Sequence, residues 1–211
     1  DTTGPGAETW NVGDILYASP TTAGLLTNVR PTAPNVVVVV AAVVSVDATD
    51  GEIMVRPTIP IGLDYGSFDS MSDQSIATVN TATAITLDTT LSSNGITIGS
   101  PTSRVVVSQS GFYQIDANLQ LSSGSSSSKN VYFWLRKNGS DVDDTVRIIT
   151  NDINNGYSPI SLNYTISLAA SDYVELYWAA DDTNVTLDSV TGLAFAPDAP
   201  SVLLKISQLQ L

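Results

Sequence analysis

The sequence predicts an all-β protein built around a sandwich, and three observations carry that expectation. First, residues 103 to 211 alternate apolar and polar side chains with the period of two that belongs to half-buried strands. In the segment Ser110 to Leu121, Tyr113, Ile115, Ala117, Leu119 and Leu121 fall on one face, and Gln114, Asp116, Asn118 and Gln120 on the other. Second, no window carries a sustained apolar stripe at i, i+3, i+4 and i+7, so almost no helix is expected. Third, only 14% of residues are charged, and the polar remainder is largely Ser, Thr, Asn and Gly, which suit strands and turns and make poor helices.

Taken in order, residues 1–9 are polar, contain Gly4-Pro5-Gly6 and read as a linker. Residues 10–62 form a small β module. Trp10 to Tyr17 is a turn feeding a short strand, and the loop Ser19 to Asn35 holds Pro20, Gly24, Pro31 and Pro34. Val36 to Val46 is the most apolar run; it is too short to span a membrane and reads as a strand buried on both faces. Asp50-Gly51 marks a hairpin turn before a strand over Glu52 to Arg56. Three strands in about fifty residues make a marginal core, which needs support from the next domain or from other copies. Pro57, Pro60 and Gly62 mark a boundary, and residues 63–211 form the second domain. It opens with weak strands near Ser75 to Val79 and Thr83 to Asp88. Strands follow at 103–108, 111–121, 130–137, 145–150, 159–168, 172–180, 184–188 and 201–211. The serine tract Ser122 to Ser128 lies between two strong strands and reads as a mobile hairpin loop. No fixed-period repeat is present, which argues against β-helices and propellers.

Composition excludes several classes of function. The chain carries eight basic and 21 acidic residues, a net charge of −13. Neutralising nucleic-acid phosphates requires basic residues, so nucleic-acid binding is not expected, and neither is attachment to anionic membranes. The absence of cysteine removes disulfides and thiolate chemistry; the absence of histidine removes a Ser-His-Asp triad and His-ligated metals. Glu8, Glu52 and Glu175 are the only glutamates, and no motif pairs one of them with an aspartate as glycoside hydrolysis requires. A non-enzymatic protein is expected. Asp141, Asp143 and Asp144 in one turn are weak candidates for calcium, weighed below ordinary solvated acidic turns, and no other cofactor is expected. The sequons at Asn138, Asn163 and Asn184 read as chance in an Asn- and Thr-rich chain.

The order of signals from 103 to 211 resembles the C1q/TNF-like jelly roll. The matching pieces are Val105-Val106-Val107, Gly111-Phe112-Tyr113-Gln114-Ile115, Val131 to Gly139 with its Leu135-Arg136-Lys137-Asn138-Gly139 strand and turn, Ile166-Ser167-Leu168 leading to Asp172-Tyr173-Val174, and the closing strand Ser201 to Leu211. One departure is Ser171, where the family has Gly before the Asp. The module at 10–62 resembles small domains of bacteriophage fibre proteins, on Trp10-Asn11-Val12-Gly13-Asp14-Ile15-Leu16-Tyr17, Leu26 to Pro31, Ala33-Pro34-Asn35 and Gly51 to Pro57. Both resemblances imply a homotrimer. Together they imply the receptor-binding end of a tail fibre that attaches to a host-surface glycan or protein, located on the virion beside other virion proteins. A capsid decoration protein or head fibre, and a secreted C1q-like adhesive protein, are the alternatives.

Face chemistry and turn counting place the candidate surfaces. Phe112, Tyr132, Trp134, Tyr173 and Tyr177 fall on faces opposite the core residues, and aromatic rings on both faces of a sheet point to a subunit interface. If successive turns alternate between the ends of the sandwich, those at 138–144, 169–171 and 191–200 share the end away from the C-terminus. Asn138, Ser140, Asp141, Asp143, Asp144, Phe195 and Asp198 would then line a distal receptor-binding surface.

Overall fold

The structure, a computed structural model, describes residues 8–32, 35, 37–47, 49–56, 63–124, 127–152 and 154–210. The linker at 1–7 and the boundary residues Pro57, Pro60 and Gly62 lie outside the described residues, as does Pro34. The chain divides into two compact units, Asp1–Gly62 and Leu63–Leu211. Every regular element among the described residues is a strand.

The smaller unit is one antiparallel sheet of β1 (Ile15–Ala18), β2 (Leu26–Thr27), β3 (Val39–Ser45) and β4 (Glu52–Val55), in the order β2-β1-β3-β4. Its buried core is small: Leu16, Ala41 and Val43, with Trp10, Leu26 and Val40 packed against them. Polar bonds compensate. Glu8, placed in the linker by sequence, accepts from Thr27 Oγ1 (2.5 Å) and the Asn28 N–H (2.7 Å), and the Asn28 side chain donates to Asp14 (2.9 Å). One expectation is corrected here. β3 is not buried on both faces: Ala41 and Val43 are buried while Val44 and Val46 are exposed, because the sheet buries apolar side chains on one side only. The hairpin turn lies between Asp47 and Gly51, as expected, and is held by Asp47, whose carboxylate accepts the N–H groups of Thr49 (2.8 Å) and Asp50 (3.2 Å).

The larger unit has two sheets facing each other. Its strands are β5 (Tyr65–Ser70), β6 (Gln74–Ser75), β7 (Thr83–Ala84), β8 (Thr89–Asn94), β9 (Ile96–Ile98), β10 (Val105–Val107), β11 (Gly111–Ser123), β12 (Lys129–Lys137), β13 (Ser140–Asp141), β14 (Arg147–Asn151), β15 (Gly156–Leu168), β16 (Tyr173–Ala180), β17 (Val185–Leu187) and β18 (Val202–Gln210). One sheet is built on β10-β16-β12-β14, the other on β5-β18-β11-β15, all antiparallel. Two interlocked sets of four strands in this order are a jelly roll. The alternation read from sequence sets the layers. Tyr113, Ile115, Ala117, Leu119 and Leu121 point inward from β11 and meet a core containing Val131, Phe133, Leu135, Leu176 and Trp178 from the opposite sheet. Phe133 and Trp178 stack with ring centroids 6.3 Å apart. Each of these large buried side chains contributes about 1.5–3 kcal/mol of burial free energy.

The strands from β10 onward match the expected spans closely. The first forty residues of this unit do not. β5, β8 and β9 have no counterpart in the sequence reading, and the segment Ser75 to Val79 is strand only at Ser75. The sequences Tyr-Gly-Ser-Phe-Asp-Ser of β5 and Thr-Thr-Leu-Ser-Ser-Asn of β8 have little strand propensity. They extend because β18 offers β5 an edge and β5 in turn offers one to β8. The serine tract is also shorter as a loop than expected. Ser122 and Ser123 belong to β11, with Ser123 buried, and Ser125 and Ser126 lie outside the described residues.

A polar latch closes the start of this unit. Asp64, 1% exposed, accepts from Ser108 Oγ (2.8 Å) and Gln109 Nε2 (2.9 Å). Its N–H donates to Gln208 Oε1 (2.9 Å), and the Gln208 side-chain amide donates to the Ser110 carbonyl (3.0 Å). Burial and the Asp64 charge push the Tyr113 hydroxyl up to about 12. Gly95 seals the latch: its φ is +70°, and a Cβ there would collide with the Asp64 carboxylate. Gly95→Ala is therefore expected to destabilise the unit by about 2–4 kcal/mol, whereas Gly124→Ala, where a Cβ meets open space, should change stability by less than about 0.5 kcal/mol. Urea-denaturation midpoints of the two variants check this.

Candidate functional site

Strand register fixes which turns of the larger unit lie together. At one pole, Gly111 pairs with Leu168, Phe112 pairs with Gln210, and the Asn138 N–H donates to the Tyr173 carbonyl (3.0 Å). Asp64, the Asn138-Gly139 turn, residues 169–172 and the end of β18 thus share this pole. At the other, Ser123 pairs with Gly156 and Val185, Lys129 pairs with Asn151, and Asn130 bonds Asp181. The loops at 124–128, 152–155 and 181–184 therefore share the far pole, joined by the end of β5 at Ser70, which pairs with Val202.

As turn counting from sequence expects, the turns at Asn138 and 169–171 share one pole and those after β11, β14 and β16 the other; the count is corrected at the turn 191–200 and at the C-terminus. β17 and β18 both run antiparallel to β11 and pair with the same edge of it, at Leu121–Ser123 and Phe112–Leu119 respectively. The segment 188–201 leaves that line and rejoins it without reversing direction, so it does not turn at the near pole, and the C-terminal strand ends at the pole of Asn138.

The seven residues proposed for one distal surface are accordingly dispersed. Asn138 builds the near-pole turn: it sits at φ 49°, its side chain donates to Asp172 (2.8 Å), and it accepts the Tyr173 N–H (3.0 Å). Ser140 and Asp141 form β13 on the edge of β12. Asp143 and Asp144 lie farther along that edge, between the pairing of Asp141 with Arg136 and that of Arg147 with Phe133. Phe195, 88% exposed, and Asp198, which accepts the Gly192 N–H (2.9 Å), belong to the excursion at 188–201 that springs from beside Leu119. The calcium candidates Asp141, Asp143 and Asp144 line one groove but do not form a metal-holding group. Asp141 Oδ1 is taken by Trp134 Nε1 and Arg136 Nε, both at 2.6 Å, and these bonds, Arg136 first, hold its carboxyl below the usual carboxylate range. Among the described residues no three acidic side chains are grouped to hold a metal ion.

The five aromatics proposed for one interface also separate. Phe112 stands on the outer face of the β11 sheet, half exposed. Tyr132, Trp134, Tyr173 and Tyr177 stand on the outer face of the β12 sheet, where side chains of this same chain cover part of them. The Arg136 guanidinium lies 3.9 Å from the Tyr177 ring centroid, Arg104 lies 4.3 Å from that of Tyr173, and Trp134 packs at 6.0 Å from Tyr177.

What the structure does bring together is two of the five aromatics and three of the seven distal-surface candidates. Tyr132, Trp134, Asp141, Asp143 and Asp144 line one open groove of about 400 Å³, completed by Asn80, Val142, Val146 and Ala179. The hollow exists because Ala179 is the cross-strand neighbour of Tyr132, whereas the bulky Tyr177 is the neighbour of Trp134. Sequence reading missed Asn80 and Ala179. The run Tyr177-Trp178-Ala179-Ala180, bulky then small, was the available signal, but a small residue marks a hollow only once its neighbours are known.

No known family model matches the chain, and no curated protein does. Among solved structures, murine APRIL at pH 8.0 and at pH 5.0 is similar, each at 10% identity and a TM-score of 0.46, covering 70% of this chain and 100% of that chain. The strand order, rather than this likeness, defines the larger unit as a jelly roll.

Two substitutions test the near-pole turn. Asp172 is held down at about 2 by the Asn138 amide, the Ala169 N–H and Lys137, the last at 3.0 Å. A carboxylate depressed in the fold stabilises it above the ordinary value of 3.8 and loses that contribution as pH falls from about 4 to about 2. Asp172→Asn should lower stability at pH 7 by about 1–2 kcal/mol, and the gap from wild type should narrow toward pH 2 in urea melts. Ser171 adopts φ 70°, so Ser171→Gly should raise stability by about 0.5–1 kcal/mol in the same measurement.

Proposed function

We propose that the chain is the distal, receptor-binding part of a trimeric bacteriophage tail fibre, a non-enzymatic virion protein that attaches the particle to a bacterial surface. The observation that carries this reading is the polarity of the jelly roll. The larger unit begins at Asp64 and ends near Gln210 at the same pole, with Gln208 bonded to Asp64 in both directions. A unit tethered at one pole presents its other pole and its flanks to whatever lies beyond. There rigidly paired strands carry connecting loops at their ends, which is how binding surfaces are commonly built. The resemblance of residues 10–57 to phage fibre modules supports the same reading. So does a smaller unit whose core holds three buried apolar side chains and whose β4 is exposed along its whole length, since packing between copies would supply the missing burial.

Under this proposal the distal surface is the far pole and the adjoining groove, while Asn138 and residues 169–172 belong to the base. Light scattering on the purified chain is expected to give a mass of about three times 22.2 kDa, unchanged by a chelator. Fluorescently labelled protein is expected to bind the surface of intact bacteria of the host range saturably. A monomer in solution, or labelled protein bound to capsids and not to cells, would overturn the reading.

A further inference from the structure

We propose that the groove between Tyr132, Trp134 and Asp143-Asp144 is a carbohydrate subsite for a neutral or amino sugar of a surface glycan. The proposal deepens the attachment function above and rests on it for its biological role, but its chemistry stands on the groove alone.

The floor comes first. Tyr132 and Trp134 lie two residues apart on one face of β12, so their ring systems are spaced by about 7 Å along the strand. The Trp134 Nε1–H is already donated to Asp141 at 2.6 Å, which fixes the indole and leaves only its face to offer a ligand. A pyranose presents a flat, apolar C–H face that lies on an aromatic ring, and two successive rings match two successive sugars. The hollow beside Tyr132 at Ala179 admits the edge of such a ring, and about 400 Å³ falls within the range of small-ligand sites. The groove is open rather than closed, so a longer chain can pass through it.

The wall selects the class. Among the described residues the side chains of Asp143 and Asp144 make no hydrogen bond or ion pair, and both are exposed above the floor. A carboxylate is acceptor only, so the ligand must bring donors: hydroxyl groups, or an ammonium group. Anionic sugars would be repelled by two unpaired carboxylates in a chain of net charge −13. The Asn80 amide on the opposite rim supplies a donor for ring or hydroxyl oxygens. A peptide backbone brings donors and acceptors in equal number and would leave this acceptor-rich wall poorly matched.

The test titrates the intact purified protein with maltotetraose, chitotetraose, de-N-acetylated chitotetraose and tetragalacturonate, following tryptophan fluorescence. The neutral or amino oligosaccharides should bind with millimolar affinity and the uronate should not. Ala179→Phe fills the hollow without removing a contact and should weaken binding at least about tenfold. The pair Asp143→Asn with Asp144→Asn should abolish any preference for the amino sugar over the neutral one. The variants are compared only after urea melts show wild-type stability. No binding of any neutral or amino oligosaccharide up to about 10 mM, undiminished binding by Ala179→Phe, or competition by an oligolysine peptide in preference to every sugar would overturn the assignment. The cell-labelling experiment separates the two readings. If Ala179→Phe labels bacteria as well as wild type, attachment stands and the groove falls; if wild type binds sugar but labels no bacteria, the groove stands and the fibre reading falls.

Discussion

The larger unit depends on the double pairing of β11. One edge of this strand pairs with β15 along its whole length, from Gly111–Leu168 to Ser123–Gly156. The other edge pairs with β18 and then with β17. Its inward face supplies Tyr113, Ile115, Ala117, Leu119 and Leu121, all fully or almost fully buried. Strand pairing and core packing are thus enforced by one segment, and a slip of one residue would turn Gln114, Asp116, Asn118 and Gln120 into the core. That penalty fixes the register, and the register fixes which turns sit at which pole.

Polar contacts hold the turns at both poles. The near pole is tied by the Asp64 carboxylate, the Gln208 amide and the cluster of Asn138, Lys137 and Asp172. Buried carboxylates of this kind are tolerated only when fully hydrogen-bonded, and Asp64 meets that condition. At the far pole Asn130 bonds Asp181 and Gly124 bonds Asn184.

The outer face of the β12 sheet shows how one set of aromatic residues serves two purposes. Tyr173 and Tyr177 are spent internally, beneath Arg104 and Arg136. Trp134 is tethered by Asp141, and beside it Tyr132 is left partly exposed next to the small Ala179. Arg136 therefore acts at two points, on the Tyr177 ring and on the carboxylate that holds Trp134. Neither contact is strong alone at a partly exposed site, but together they set the orientation of the groove floor.

What the sequence determined by itself was local: the strand class, the inward and outward faces from β10 onward, and the residue types able to bind. Period-two alternation is a property of neighbouring residues, so it was readable without partners. Even Ser171 was visible as a departure from the pattern the sequence resembles, though only the structure shows it at positive φ. The tertiary structure decided the rest. β5 and β8 exist because another strand offers them an edge, not because their residues prefer extension. The segment 188–201 and the pole of the C-terminus could not be counted from turns, because β17 and β18 share one line along β11. The groove joins residues from β12, the 141–146 edge, β16 and the loop at Asn80, and a hollow is defined by what its neighbours leave empty. Each of these depends on pairings distant in the chain, which no local pattern encodes.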